Sequence, residues 1–117
     1  MEYIPYSKRE TKQVSDDCTV HEQPSNDEIF GKATIELRGR HPESGWSVNL
    51  ECHALLVVMA RHGRYIPHPD TGKEAIEVSA GGDIHIPPNE KYALEGDMKI
   101  AYVTTPPWTD EQYRTVE

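Results

Sequence analysis

The fold is decided by one stretch of the sequence, Gly81-Gly82-Asp83-Ile84-His85-Ile86-Pro87-Pro88-Asn89-Glu90-Lys91-Tyr92-Ala93-Leu94-Glu95-Gly96. The paired glycines open a short strand, and the two prolines end it because proline lacks the N–H group that sheet hydrogen bonds require. A tight polar turn follows, and the residues after Lys91 begin a second strand. The stretch therefore predicts a strand, a turn and a returning strand.

The rest of the chain repeats this alternation of short strands and turns. Ala33 to Arg38 alternates apolar and polar side chains as a half-buried strand does. Leu55 to Met59 is apolar on both faces, which predicts a central strand, and Pro69-Asp70-Thr71-Gly72 has the composition of a hairpin tip. About seven such strands predict an all-β sandwich or barrel. Thr109 to Gln112 has the form of a capping box, which predicts a short helical turn near the C-terminus.

The stretch from Gly81 to Gly96 closely resembles the second conserved motif of the cupin superfamily. In that motif Gly-Asp opens a strand, Ile-Pro closes it, and a His a few residues later ligates a metal; Tyr92 stands at the position of that His. The resemblance implies an all-β double-stranded β-helix, the jelly-roll barrel of cupins. The expected organisation is a polar N-terminal segment at 1–30 that forms an edge or swapped strand, a cupin barrel at 31–108, and a C-terminal tail at 109–117.

The first cupin motif usually carries two His and a Glu as metal ligands, and this chain departs from it at those positions. When the sequences are aligned on the turn before Gly63, Arg61 stands at the closing Gly of the motif and Ala54 at the Glu. Asn49 and Ser47 then take the two His positions. Asn, Ala and Tyr do not supply the His and carboxylate ligands of a catalytic metal. The resemblance is therefore to small single-domain cupins that lack the usual metal ligands, and we expect no cofactor.

A second register of the first motif leads to an alternative metal site. The interval from Gly82 to Pro87 is one residue shorter than the family spacing. A slipped alignment would make Glu51 and His53 the occupants of ligand positions, with their side chains turned to the other face of the strand. Together with His85, these two residues form the alternative site for a divalent metal.

The barrel is expected to bind a small polar metabolite in a pocket. Asn49 and Tyr92 lie where cupin ligands point inward, and both side chains can form hydrogen bonds with a ligand. The expected pocket residues are Asn49, Tyr92, His53, Trp46 and Tyr102. The alternative is a cupin enzyme, either a metal-dependent oxygenase or isomerase or a metal-free sugar epimerase, with a shifted site around His53, His85 and Tyr92. A purely structural dimer is the third hypothesis.

Charge and composition limit the partners. The net charge of −8 argues against nucleic acid and anionic membranes, because both bind clustered Lys and Arg. No apolar stretch approaches the roughly 20 residues that span a bilayer, and the first residues lack the features of a signal peptide. Cys18 and Cys52 form no metal-type spacing, so free thiols in the cytoplasm are expected. A homodimer is expected because cupins commonly pair through sheet edges.

Overall fold

The computed structural model describes all 117 residues and confirms the all-β jelly-roll architecture. The strands are β1 (Glu10–Ser15), β2 (Cys18–Glu22), β3 (Gly31–His41), β4 (Trp46–Asn49), β5 (His53–Pro67), β6 (Ile76–Ser79), β7 (Asp83–Ile86), β8 (Tyr92–Thr105) and β9 (Tyr113–Val116). Short 3-10 turns span Tyr6–Lys8, Pro69–Thr71 and Asp110–Gln112. None of the helical segments is long and apolar enough to cross a membrane.

One antiparallel sheet is built around three long strands. β8 lies between β3 and β5 and pairs with both over almost its whole length. β2 and β1 extend the sheet beyond β3, whereas β6 and β7 pair with opposite halves of β5. β4 pairs with β9 along its length and with β8 at the single pair Ser47 and Tyr92.

A row of glycines crosses the three central strands at one level. Gly39 of β3 pairs with Gly96 of β8, and Gly96 pairs in turn with Gly63 of β5. Gly96 has a φ of 142°, which favours glycine, and a Cβ atom placed on it would lie 2.4 Å from the Cα atom of Gly63. Glycines at such a level allow a sheet to bend sharply. The bend folds the sheet into two layers, so that Tyr92 and Tyr102 of the same strand approach each other in the interior.

The apolar core lies between these two layers. Alternate residues of β5 face it, because successive side chains of a strand point to opposite sides. Its fully buried apolar side chains include Leu37, Leu56, Val58, Met98 and Ile100. Burying a side chain of this size stabilises the fold by about 1.5–3 kcal/mol. The outward residues Leu55 and Val57 of the same strand are half-buried, which explains the apolar run on both faces.

Both terminal segments add strands to the same chain's sheet. Residues of the N-terminal segment form β1 and β2, and β2 pairs with β3. The C-terminal tail forms the expected short turn and then β9. The predicted capping box is wrong, because the Thr109 side chain makes no capping hydrogen bond. Gln112 turns into the interior instead and donates a hydrogen bond to Asn49 at 2.8 Å.

Candidate functional site

Part of the barrel interior is lined by polar side chains. We refer to these residues as the polar cluster: His41, Ser47, Asn49, Tyr92, Tyr102, Gln112 and Tyr113. Ser47 and Asn49 are two residues apart on β4 and therefore point to the same side of that strand. These two residues are buried, and so are Tyr92 and Gln112; none of the four is more than 4% exposed. The cluster thus combines residues from β3, β4, β8, β9 and the C-terminal turn.

Asn49 and Gln112 form the centre of the cluster. The Asn49 Nδ2 atom donates a hydrogen bond to the Tyr102 hydroxyl at 2.9 Å, and its Oδ1 accepts one from Gln112 Nε2 at 2.8 Å. The Oε1 atom of Gln112 accepts a hydrogen bond from the Cys52 backbone N–H at 3.1 Å. These bonds fix both amides, so Asn49 presents a set orientation to the interior.

A second set of contacts leads from Ser47 to His41. The Ser47 hydroxyl lies 2.6 Å from the Tyr113 hydroxyl, which is 3.5 Å from His41 Nε2. The other ring nitrogen of His41, Nδ1, is buried and has no hydrogen-bond partner. Burial lowers the pKa of His41, and the positive charge of Arg40 lowers it further. His41 is therefore a neutral imidazole near pH 7, with one nitrogen free to bind.

Tyr92 is held between aromatic neighbours. Its ring stacks on that of Tyr65 with centroids 5.7 Å apart and planes 14° apart, and the Tyr65 hydroxyl donates a hydrogen bond to the Glu90 carboxylate. Burial raises the pKa of Tyr92 well above its usual value, and the nearby Tyr102 hydroxyl adds to the effect. Tyr92 therefore remains a neutral phenol, which is a hydrogen-bonding group and a poor metal ligand.

The structure brings together three of the five expected pocket residues, Asn49, Tyr92 and Tyr102. Trp46 is half-buried but is not among them, because it precedes the inward residue Ser47 on β4 and therefore points to the other side of that strand. Its ring centroid lies 5.1 Å from that of His68 and 5.1 Å from the Arg40 guanidinium carbon. His53 differs from the expectation. It is exposed on the outer face of β5, because the inward position belongs to its neighbour Ala54.

The register of the first motif also follows from the geometry. Arg61, at the position where the motif has Gly, has a φ of 67°, the left-handed conformation that glycine adopts most readily. In the same register the four residues at ligand positions are all buried: Ser47, Asn49, Ala54 and Tyr92. Glu51 and His53, which a slipped register would bring to these positions, are both exposed.

The alternative metal set is not assembled inside the barrel. His85 is exposed on β7, where the inward position is that of Ile86, and it lies with His53 on the outer face of the sheet. Glu51 precedes β5 and is exposed. No group of three or more His, Cys, Asp or Glu side chains lies close enough to hold one metal ion.

Three residues of the cluster were not expected from the sequence. Tyr113 and Gln112 lie in the tail, and no local pattern relates them to β4. The inward position of His41 could have been predicted, because the alternation of Ala33, Ile35 and Leu37 along β3 places residue 41 on the same side of the strand. The turn-forming residues after His41 instead indicated that it lies in a loop.

Known proteins of similar structure share the fold. The sequence matches no protein-family model and no curated protein. Streptomyces Pac13, described as a unique nucleoside dehydratase, is 15% identical with a TM-score of 0.85 over 100% of this chain and 92% of that one. Variants of Pac13 have been solved with uridine.

Two further structures show the same likeness at lower scores. The polyketide cyclase RemF from Streptomyces resistomycificus has a TM-score of 0.74 and 16% identity, over 100% of this chain and 86% of that one. KdgF from a Halomonas species has a TM-score of 0.71 and 11% identity, over 94% of this chain and 98% of that one. At such identities the likeness concerns the fold, and the chain has a cupin-type barrel fold.

Proposed function

We propose that the chain binds a small, uncharged polar metabolite at the polar cluster, without the standard cupin metal ligands. The observation that supports this proposal is the buried His41 Nδ1 atom, which has no partner beside otherwise hydrogen-bonded groups. A buried polar atom without a partner costs about 1–3 kcal/mol. A ligand hydroxyl or carbonyl at this nitrogen would recover that free energy.

The chemistry of the cluster favours a neutral ligand rich in hydroxyl groups. Burial keeps both Tyr92 and His41 in their neutral forms, so neither side chain offers an opposite charge to a buried ion. Hydroxyl and amide groups both donate and accept hydrogen bonds, as the hydroxyls of sugars do. Nucleosides combine such hydroxyls with a base that can stack on aromatic rings, and variants of Pac13 have been solved with uridine. Uridine is therefore the first ligand to test.

The test is a calorimetric titration with uridine, other nucleosides and neutral sugars. We expect binding by at least one of these compounds, and the Tyr92→Phe variant should bind it about 0.5–1.5 kcal/mol more weakly, the value of one hydrogen bond. Tyr3→Phe is the matched control, because Tyr3 is 79% exposed. The proposal fails if none of these compounds binds, or if the two variants bind equally well.

An acid–base enzyme is the second candidate, and the state of His41 favours it. A neutral imidazole accepts a proton near pH 7, and the Tyr113 hydroxyl is within 3.5 Å to hold or return one. His41 takes the role that the sequence suggested for His53 or His85. Elimination of water from a hydroxylated ligand is one reaction of this type: a base removes a C–H proton, the C=C bond forms, and the hydroxyl leaves protonated as water.

Mass spectrometry distinguishes the two candidates. If the chain is an enzyme, the ligand found by titration should lose water or isomerise, and His41→Gln should stop turnover while binding persists. His62→Gln is the control, because His62 is exposed on β5 and remote from the cluster. If the ligand is recovered unchanged from the wild-type protein, the enzyme hypothesis fails and only the binding function remains.

We further propose that the protein works as a homodimer in the cytoplasm. Cys18 and Cys52 are both buried and free, as in proteins of reducing compartments. Burial raises the pKa of Cys18 to about 11, with a further contribution from Asp17, so that thiol stays protonated and unreactive. Ile29 and Phe30 expose apolar surface that a second copy would cover. Light scattering on the purified protein measures the oligomeric state.

A further inference from the structure

A groove of about 360 Å³ lies on the outer face of the sheet, across β5, β7 and β8. We call it the outer groove; its lining includes Phe30, His53, Leu55, His85, Val103 and Thr105. It is separate from the polar cluster, because no residue of the cluster lines it. His53 and Leu55 are on the outer face of β5, and the buried residues Ala54, Ile86 and Thr104 border the groove from below. The two exposed histidines are the groups in it with metal-binding chemistry.

The strand register places the two histidines within reach of one ion. Leu55 pairs directly with His85 across β5 and β7, so His53, two residues before Leu55, is the diagonal neighbour of His85 on the same face. Diagonal neighbours on an antiparallel sheet are about 7–8 Å apart at Cα, which long side chains can bridge. Two imidazole rings extended from these positions can converge on a single ion.

Both rings are free to bind. The histidine rings that form hydrogen bonds are those of His21, His41 and His68. His53 and His85 have none, and both are exposed. No carboxylate lines the groove, so its donors are the two imidazoles and the weaker hydroxyl groups of Thr104 and Thr105. Imidazole suits Cu²⁺, Ni²⁺ and Zn²⁺, whereas Mg²⁺ and Ca²⁺ require oxygen ligands.

We propose that His53 and His85 bind a divalent transition-metal ion in the outer groove, with Cu²⁺ bound more tightly than Ni²⁺ or Zn²⁺. No third His, Cys, Asp or Glu completes the group, so water fills the remaining coordination positions. The preference follows from the general order of affinities for nitrogen ligands, in which Cu²⁺ ranks highest. The apolar side chains of Leu55 and Val103 line the groove beside the two imidazole rings.

The experiment titrates untagged protein with Cu²⁺, Ni²⁺, Zn²⁺ and Mg²⁺ by calorimetry and records the electron paramagnetic resonance spectrum of the Cu²⁺ complex. We expect one Cu²⁺ per chain, nitrogen hyperfine coupling and no competition by Mg²⁺. His53→Gln and His85→Gln should each weaken Cu²⁺ binding by at least about tenfold, the lower end of the loss caused by disturbing a metal site.

His62→Gln is the matched control, because His62 is exposed on the same strand β5 and lies outside the groove. It should bind Cu²⁺ as the wild-type protein does. The proposal is overturned if the control loses as much affinity as the two variants, or if the double variant of His53 and His85 keeps wild-type affinity. Circular dichroism of each variant verifies that the barrel is intact.

Discussion

The apolar core and the polar cluster fill the same barrel interior in opposite ways. In the core, Leu37, Leu56 and Ile100 pack without polar atoms, so each buried carbon adds to stability. In the cluster, every buried polar atom requires a partner, and His41 Nδ1 has none within the chain. Polar networks stabilise a fold less than apolar packing of similar volume when they are only partly satisfied. We infer that the core provides the stability on which the cluster depends.

The largest effect is expected in the core. Leu56→Ala should lower the free energy of unfolding by about 2–5 kcal/mol, because it removes buried carbon atoms and leaves a cavity. Urea denaturation followed by circular dichroism measures the change. Leu50→Ala is the control and should stay within about 0.5 kcal/mol, since Leu50 is 41% exposed. Equal stability of the two variants would mean that Leu56 does not belong to the core.

A smaller effect is expected at the centre of the cluster. Gln112→Met keeps the side-chain length but removes the amide, which leaves Asn49 Oδ1 and the Cys52 N–H without this partner. Each buried group left unpaired costs about 1–3 kcal/mol. Urea denaturation again provides the measurement, with the exposed Gln13→Met as control, where water replaces the lost bonds. Should both variants unfold at the same urea concentration, the hydrogen bonds of Gln112 contribute nothing.

The smallest effect is expected from protonation of His41. Because burial lowers its pKa in the folded state, the unfolded chain binds a proton near the ordinary value of 6.5, while the folded chain still excludes it. The contribution of His41 to the free energy of unfolding is therefore fully present above pH 6.5, and it decreases as the pH drops from there towards the pKa of His41 in the folded state. Urea midpoints measured on both sides of pH 6.5 should show this slope.

The His41→Gln variant should lose this part of the pH dependence, whereas His62→Gln should keep it. An unchanged slope in His41→Gln would show that other groups cause it, and His41 would then not be the buried neutral base of the cluster.

The fold was predictable because its signals are local. The strand-turn-strand stretch from Gly81 to Gly96 and the two-sided apolar run at Leu55 to Met59 each depend on neighbouring residues, and the structure contains both. The inward direction of Asn49 and Tyr92 followed from the spacing of the motifs. Apolar residues on both faces of β5, however, left the direction of His53 open, because the face of a strand residue changes with a slip of one position.

The rest of the site depends on contacts between distant parts of the chain. Gln112 forms a hydrogen bond with Asn49, which lies 63 positions earlier in the sequence. Tyr113 does so with Ser47, which lies 66 positions earlier. Nothing in the composition of the C-terminal tail indicates that its side chains enter the barrel. Such pairs form only when β9 docks beside β4, which is a property of the whole sheet.

The glycine row determines the distance between the two tyrosines of β8. Tyr92 lies four residues before Gly96 and Tyr102 six residues after it, so the bend of the strand at Gly96 sets how closely their hydroxyls approach. The bend requires Gly63 beside Gly96, because a Cβ atom on Gly96 would lie 2.4 Å from the Gly63 Cα atom. The shape of the polar cluster thus depends on Gly39, Gly63 and Gly96, three residues that contribute no side chain to it.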